Sequence, residues 1–263
     1  MSSDNFILEV KTVQSSAFRI LIEALKEILT DANLEFDETG IKIMAMDSSH
    51  TVLVHLKLNS EQFEEFHCKN KLILGINMIN LFKLIKTMSN NDTLTLYIEE
   101  DNQSVLGIKI ENSEKNTITR YKLNLMDLHE DNIQIPPTVF ESVITLPSSD
   151  FQKICRDMHN LADDIEIKSV GSQLIFNCKG EFASQETCIG EANSGMTFIQ
   201  NQNPDEIVQG LFALKHLVLF SKCTNLCNSI ELYLKNDYPL IIKYTVASLG
   251  SIKLCLAPKM EDS

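Results

Sequence analysis

Pro147-Ser-Ser-Asp-Phe-Gln-Lys-Ile-Cys-Arg-Asp-Met-His-Asn-Leu161 is the stretch from which the fold can be read. Phe151, Ile154, Cys155, Met158 and Leu161 recur at steps of three and four, the period of one helical face. Pro147-Ser-Ser-Asp150 ahead of them has the composition of a capped helix N-terminus. Working outward, the same period recurs in Phe18, Leu21, Ile22, Leu25, Ile28 and Leu29. It recurs again in Met78, Leu81, Ile85 and Met88, and less regularly over 211–223 in Leu214, Leu217 and Phe220.

Most of the rest alternates as strands do. Thr51-Val-Leu-Val-His-Leu-Lys-Leu58, Thr93-Leu-Thr-Leu-Tyr-Ile98 and Val105-Leu-Gly-Ile-Lys-Ile110 are apolar and rich in β-branched residues. Ile230-Glu-Leu-Tyr-Leu234 and Pro239–Val246 belong with them. Asn, Asp and Gly clusters such as Asp37-Glu-Thr-Gly40, Ser89-Asn-Asn-Asp92 and Lys235-Asn-Asp237 separate them. Arg19 and Lys153 lie 134 residues apart, and Lys83 and Lys215 lie 132 apart. That offset predicts an internal duplication: an α+β protein of two similar domains, each with two helices packed on antiparallel sheets. The domains span 1–125 and 139–263, joined by a connector at 126–138 that ends in Pro136-Pro137. Ile133 and Ile135 are unusual in a spacer; they either anchor it on a sheet or form a lip for a partner.

The chain has 263 residues, 44% hydrophobic and 22% charged, which fits a globular protein with a substantial core. No 18-residue apolar window predicts a membrane helix, and the N-terminal residues lack a signal peptide's basic and apolar regions. Seven cysteines, at 68, 155, 178, 188, 223, 227 and 255, have no Cys-x-x-Cys spacing and read as reduced thiols. Cys223, Cys227 and His216 lack a fourth metal ligand. Phosphate-binding glycine loops, the Gly-x-Ser-x-Gly elbow and the His-Glu-x-x-His zinc motif are all absent. Asp47-Ser-Ser-His50 is too compact for a triad, and Asp163-Asp164 would point to opposite faces of a strand. The expectation is a protein with no catalytic residues, metal or cofactor.

Lys and Arg number 23 against 36 Asp and Glu, a net charge of −13, which at first argues against a phosphate-backbone ligand. The distribution argues otherwise. Each helix carries two cations away from its apolar stripe: Arg19 and Lys26, Lys83 and Lys86, Lys153 and Arg156, Lys215 and Lys222. Residues 17–29, 76–88, 150–162 and 211–223 hold these eight cations and four acids, a net of +4, leaving −17 for the remainder. One such helix is an ordinary solvated face. Four alike predict a shared surface that meets backbone phosphate without reading sequence.

Met44-Ala-Met-Asp-Ser-Ser-His50, Leu125-Met-Asp-Leu128, Phe151-Gln-Lys-Ile-Cys-Arg-Asp157 and Leu256-Ala-Pro-Lys-Met-Glu-Asp262 resemble the proliferating cell nuclear antigen family of eukaryotic-type sliding clamps, as does Glu23-Ala-Leu-Lys26. These segments are spread in order over nearly the whole chain, and divergence elsewhere suits a viral or early-branching member. The resemblance implies the DNA clamp fold and a homotrimeric ring. Helices then line a hole for double-stranded DNA, and the ring acts as a DNA polymerase processivity factor in replication and repair. A non-ring viral processivity factor or a heterotrimeric checkpoint-clamp subunit of the same fold is the alternative. The eight helix cations fall at or near the family's DNA-facing positions, with Ile20 where a second adjacent cation is common.

The resemblance further implies a pocket of Met46, His50, Leu53, Ile133, Ile135, Pro136, Pro239, Ala257 and Pro258. It would receive short Gln-aliphatic-aromatic motifs of DNA polymerase, clamp loader, nuclease and ligase, an apolar wall receiving apolar anchors. Without the resemblance, most of these residues read as core. Lys115 to Lys122 of one subunit would pair with Glu181 to Gly190 of the next. Thr51 and Cys255 replace the family's common valine and tyrosine, and Gly171 stands where the family carries a modified lysine, with Lys168 nearby. No membrane is involved, and the expected location is the nucleus or a viral replication site.

Overall fold

The computed structural model describes residues 5–129, 133, 135–203 and 205–259. They pack as two units. The first comprises the described residues within 1–47, 54–133 and 245–252; the second comprises those within 48–53, 134–244 and 253–263.

The elements of the first half are β1 (Phe6–Thr12), α1 (Ser15–Ile28), β2 (Asp31–Asp37), β3 (Gly40–Met46), β4 (Val52–Asn59), β5 (Glu65–Cys68), β6 (Leu72–Asn77), α2 (Met78–Ile85), β7 (Thr93–Glu99), β8 (Asn102–Asn112) and β9 (Thr117–Asn124). One sheet runs β5-β1-β7-β8-β9, and β4-β3-β2-β6 belong to another. Period-two patterning explains the strands: in β2, Ala32, Leu34 and Phe36 are buried while Asp31, Asn33, Glu35 and Asp37 are not. Strand β7 is buried over five consecutive residues, as befits a central strand covered on both faces. Helix α1 buries Phe18, Leu21, Ile22 and Leu25 and packs against α2, which buries Met78, Leu81 and Ile85. Full burial of each such side chain stabilises by roughly 1.5–3 kcal/mol.

The second half repeats the order with β10 (Ser142–Pro147), α3 (Ser148–His159), β11 (Asp164–Val170), β12 (Gln173–Lys179), β13 (Ser184–Gly190), β14 (Thr197–Asn201), β15 (Val208–Ala213), α4 (Leu214–Phe220), β16 (Ser229–Leu234), β17 (Leu240–Val246) and β18 (Gly250–Leu256). The pairings repeat as well. Strand β1 lies between β5 and β7, and β10 between β14 and β16. Strand β2 lies between β3 and β6, and β11 between β12 and β15. Each of these pairings is antiparallel, so the duplication holds in topology as well as in helix spacing.

Three details differ from the sequence reading. The fourth helix does not fill 211–223: Leu211–Ala213 belong to β15, α4 ends at Phe220, and Ser221–Leu226 form a 3-10 turn. The Ser221 hydroxyl donates to the Val218 carbonyl and the Thr224 hydroxyl to the Ser221 carbonyl, local bonds that compete with a continuing α-helix. The second helix is similarly shorter, since Ile76 and Asn77 finish β6. Ser148, Ser149 and Asp150 do not cap α3: Pro147 is the N-cap residue, and no side chain accepts from the first turn. The Ser148 hydroxyl instead donates to the Cys227 carbonyl at 2.6 Å.

Candidate functional site

The apolar faces of the helices fix where their cations point. Lys83 and Lys86 on and just after α2, Lys153 and Arg156 on α3, Lys215 on α4 and Lys222 in the following 3-10 turn are all exposed. None of these six makes an ion pair among the described residues. Helix α1 differs. The Lys26 side chain is 19% exposed, ion-paired to Glu27, with its ammonium 5.0 Å from the centre of the Phe82 ring. That cation–π contact, about 0.5–1 kcal/mol or more, ties α1 to α2. Arg19 is half-buried, and its Nε has no hydrogen-bond partner among the described residues. Among the described residues, six of the eight helix cations are thus exposed and unpaired, Lys26 is engaged, and Arg19 is half-buried.

The segment after α2 is held by a buried carboxylate. Asp92 accepts from the Ser89 backbone N–H at 2.8 Å, the Ser89 hydroxyl at 2.7 Å and the Asn112 amide at 2.6 Å. Burial pushes its pKa up, but the bonds from Ser89 and Asn112 outweigh it, and the carboxyl lies below its ordinary value. The Asn112 oxygen accepts from the Lys115 N–H at 2.8 Å, so one network links the end of α2 to the β8–β9 turn.

None of the nine residues assigned to the peptide pocket belongs to the core. Met46, Leu53, Ile133, Pro239, Ala257 and Pro258 are half-buried, and His50, Ile135 and Pro136 are exposed. His50 has a positive φ of 54° in the turn before β4. Within the second unit a cavity of about 660 Å³ is lined by Glu166, Gln209, Leu211, Tyr238, Pro258 and Lys259, among others. Tyr238 is set by a 2.9 Å bond from the Thr138 hydroxyl and an edge-on contact with Phe140, 5.6 Å between ring centres. Burial pushes the Cys255 thiol up to about 11, so it stays neutral. Gly171, φ +59°, occupies the β11–β12 turn with open space around it, and Lys168 is ion-paired to Glu166 at 3.4 Å.

Backbone edges carry the remaining information. Strand β9 is an eight-residue edge and β13 a seven-residue edge, and among the described residues nothing bonds to their outer backbone groups. Lys122 lies on β9, Lys115 in the turn before it, Gly190 at the end of β13, and Glu181 in the turn before β13. Among the described residues the other edges are shorter or partly covered, β14 having five residues. Strand β5 has four residues. Strand β6 receives Met126, whose N–H donates to the Gly75 carbonyl at 2.8 Å. Strand β15 is covered by Asn236, whose side-chain oxygen accepts from the Gln209 N–H at 2.8 Å while its NH2 donates to the Ile207 carbonyl at 3.0 Å. The Lys259 N–H adds a bond to the Leu211 carbonyl at 2.8 Å.

Three of these residues were not singled out by sequence reasoning. Gly75 admits the connector because a Cβ there would lie 2.2 Å from the Met126 carbonyl oxygen. Asn77 caps α2 by accepting from the Asn80 N–H at 2.9 Å; Asn directly before an apolar helical run was the available signal. Asn236 looked like a turn residue, and nothing in the sequence marks it as an edge cover.

Comparison with known proteins covers almost the whole chain. The family profile described as proliferating cell nuclear antigen, N-terminal domain, matches residues 7–133, and the C-terminal domain profile matches residues 134–259. A protein of Paramecium bursaria Chlorella virus 1, described as probable DNA polymerase sliding clamp 1, is 37% identical over 262 residues, covering 98% of this chain and 99% of the relative.

Proposed function

The chain belongs to the proliferating cell nuclear antigen family and is a DNA sliding clamp, a processivity factor in DNA replication; from that premise we propose that it encircles duplex DNA as a homotrimer and touches it through Lys83, Lys86, Lys153, Arg156, Lys215 and Lys222. The observation that carries this reading is the set of six exposed cations, unpaired among the described residues, in a chain of net charge −13. Acidic surface elsewhere repels DNA, so the helix faces are where a phosphate backbone is favoured. The contacts are weak, sequence-independent and salt-sensitive, as sliding requires. Lys26 and Arg19 contribute field more than contact, because one is paired and the other half-buried.

A clamp acts by tethering rather than by catalysis, raising the local concentration of enzymes at the template. Met46, His50, Leu53, Ile133, Ile135, Pro136, Pro239, Ala257 and Pro258 are proposed to receive the Gln-aliphatic-aromatic motif of polymerase, clamp loader, nuclease and ligase. Their support is that all nine retain exposed surface. Lys115–Lys122 is proposed to meet Glu181–Gly190 of the next subunit. The place of action is where DNA is copied, the nucleus or a viral replication site.

The test is to replace Lys83, Lys153 and Lys215 together by Glu and measure polymerase stimulation on primed circular DNA. A loss on the order of tenfold or more at low salt, narrowing as added salt screens the charges and with an unchanged melting temperature, is expected. Unchanged stimulation overturns the assignment of these helices to DNA.

A further inference from the structure

Resting on the ring reading above, we propose that the seam between copies is directional by charge: Glu186 on β13 of one subunit lies between Arg120 and Lys122 on β9 of the next. Both strands are long, open edges among the described residues, and a second copy of this chain carries the complement of each.

The pleat sorts the side chains. On β9, Thr119 and Tyr121 oppose buried Ile110 and Ile108, so they face the core side of the sheet. Ile118, Arg120 and Lys122 therefore face the other way. On β13, Thr187 and Ile189 oppose buried Phe176 and Leu174, which puts Glu186 and Cys188 on the outer face. The core-side residues of both edges, Thr117, Thr119, Tyr121 and Leu123 against Gln185, Thr187 and Ile189, are uncharged. All the formal charge of the two strands is thus on one face, positive on β9 and negative on β13.

That arrangement selects the pairing. Arg120 and Glu186 have no ion-pair partner among the described residues, and Lys122 has only Glu99 at 3.5 Å. Antiparallel addition of β13 to β9 with core faces aligned admits registers that set Glu186 directly opposite one cation and diagonal to the other, and charge favours these over registers shifted by two residues or more. These positions lie about 4.5–5.5 Å and 7–8 Å apart. A one-residue slip would turn the charges to opposite faces. Pairing β9 with a second β9 would set Arg120 and Lys122 against their own copies, and pairing β13 with β13 would set Glu186 against Glu186. Like charges across strands are destabilising, so two-fold dimers are disfavoured and head-to-tail closure remains.

The test measures the mass of the full chain by sedimentation equilibrium in 50 mM and 500 mM NaCl (~10-fold apart, spanning the screening range). Three variants are compared with it: Arg120→Glu/Lys122→Glu, Glu186→Lys, and all three changes together. Expected are salt-weakened assembly of the native chain, dissociation about a hundredfold or more easier for each one-edge reversal, and recovery in the combined variant. Reversals that assemble like the native chain, or a combined variant that does not recover, overturn the charge seam while a native trimer keeps the ring. A native mass of 29.7 kDa at every concentration overturns the ring and the seam with it.

Discussion

Met126 donates its backbone N–H to the Gly75 carbonyl at 2.8 Å, and Gly75 has no Cβ to push it away. The first residue of the connector is thereby laid along β6 like a one-residue strand. The Asn33 amide donates to the His129 carbonyl at 3.2 Å and extends the attachment by one more point. The segment from Met126 to His129 is thereby held at both ends.

Replacing Gly75 by Val is expected to displace that segment. The added carbons meet the Met126 carbonyl oxygen and the Leu128 side chain, at 2.2 and 3.0 Å from an ideal Cβ. A loss of about 1–3 kcal/mol in stability follows from such overpacking. Limited proteolysis should show cleavage near residues 126–135 rising in the variant. A connector as resistant as the native one would show that the bridge does not set its path.

Ile133→Ala and Ile135→Ala are expected to separate binding from folding. Ile135 is 38% exposed, so its truncation should move stability by no more than about 0.5 kcal/mol. Affinity for a Gln-aliphatic-aromatic peptide should fall about tenfold if the side chain anchors the ligand. Calorimetric titration of the two variants checks it, and native affinity in both would remove the connector from the peptide site.

Asp92 makes stability pH-dependent with a definite sign. Its pKa is lowered on folding, so its contribution is complete above the ordinary carboxylate value near ~3.9 and disappears as pH falls through the lower folded value. Asp92→Ala should cost about 1–3 kcal/mol at neutral pH, because Ser89 and Asn112 lose their acceptor. The gap in melting temperature between native and variant should close below about pH 4. A gap that widens there has the wrong sign.

The cysteines should fall into two reactivity classes. Burial raises the Cys155 thiol strongly and pushes Cys223 up to about 12, while Cys188 is exposed. Alkylation at pH 8 should therefore label Cys188 first and leave Cys155 and Cys223 untouched until urea unfolds the chain. Mass spectrometry of timed samples reads the order, and early labelling of Cys155 would contradict its burial.

The sequence carried the helices and the duplication because apolar periodicity is local: Phe151, Ile154, Cys155 and Met158 mark α3 and are all buried. It overextended the helix from Leu214 because Leu211 and Phe212 suit a strand as well as a helix, and pairing with β11 decides between them. The eight cations could be listed from sequence, but not their individual states. Lys26 sits over Phe82, 56 positions away, and no local pattern announces that contact. The backbone covers at Gly75 and Asn236 were invisible for the same reason: each depends on which distant segment arrives there.

Asn236 presents its amide to β15 as a peptide group would, one acceptor and one donor, and then offers nothing further for another strand to join. Growth of the sheet stops there without a second chain being consumed. One route to edge-to-edge aggregation is thus narrowed by one side chain, with the Lys259 N–H beside it. Exchanging that amide for a carboxylate, which still accepts from the Gln209 N–H but cannot donate to the Ile207 carbonyl, would free that one carbonyl for another strand.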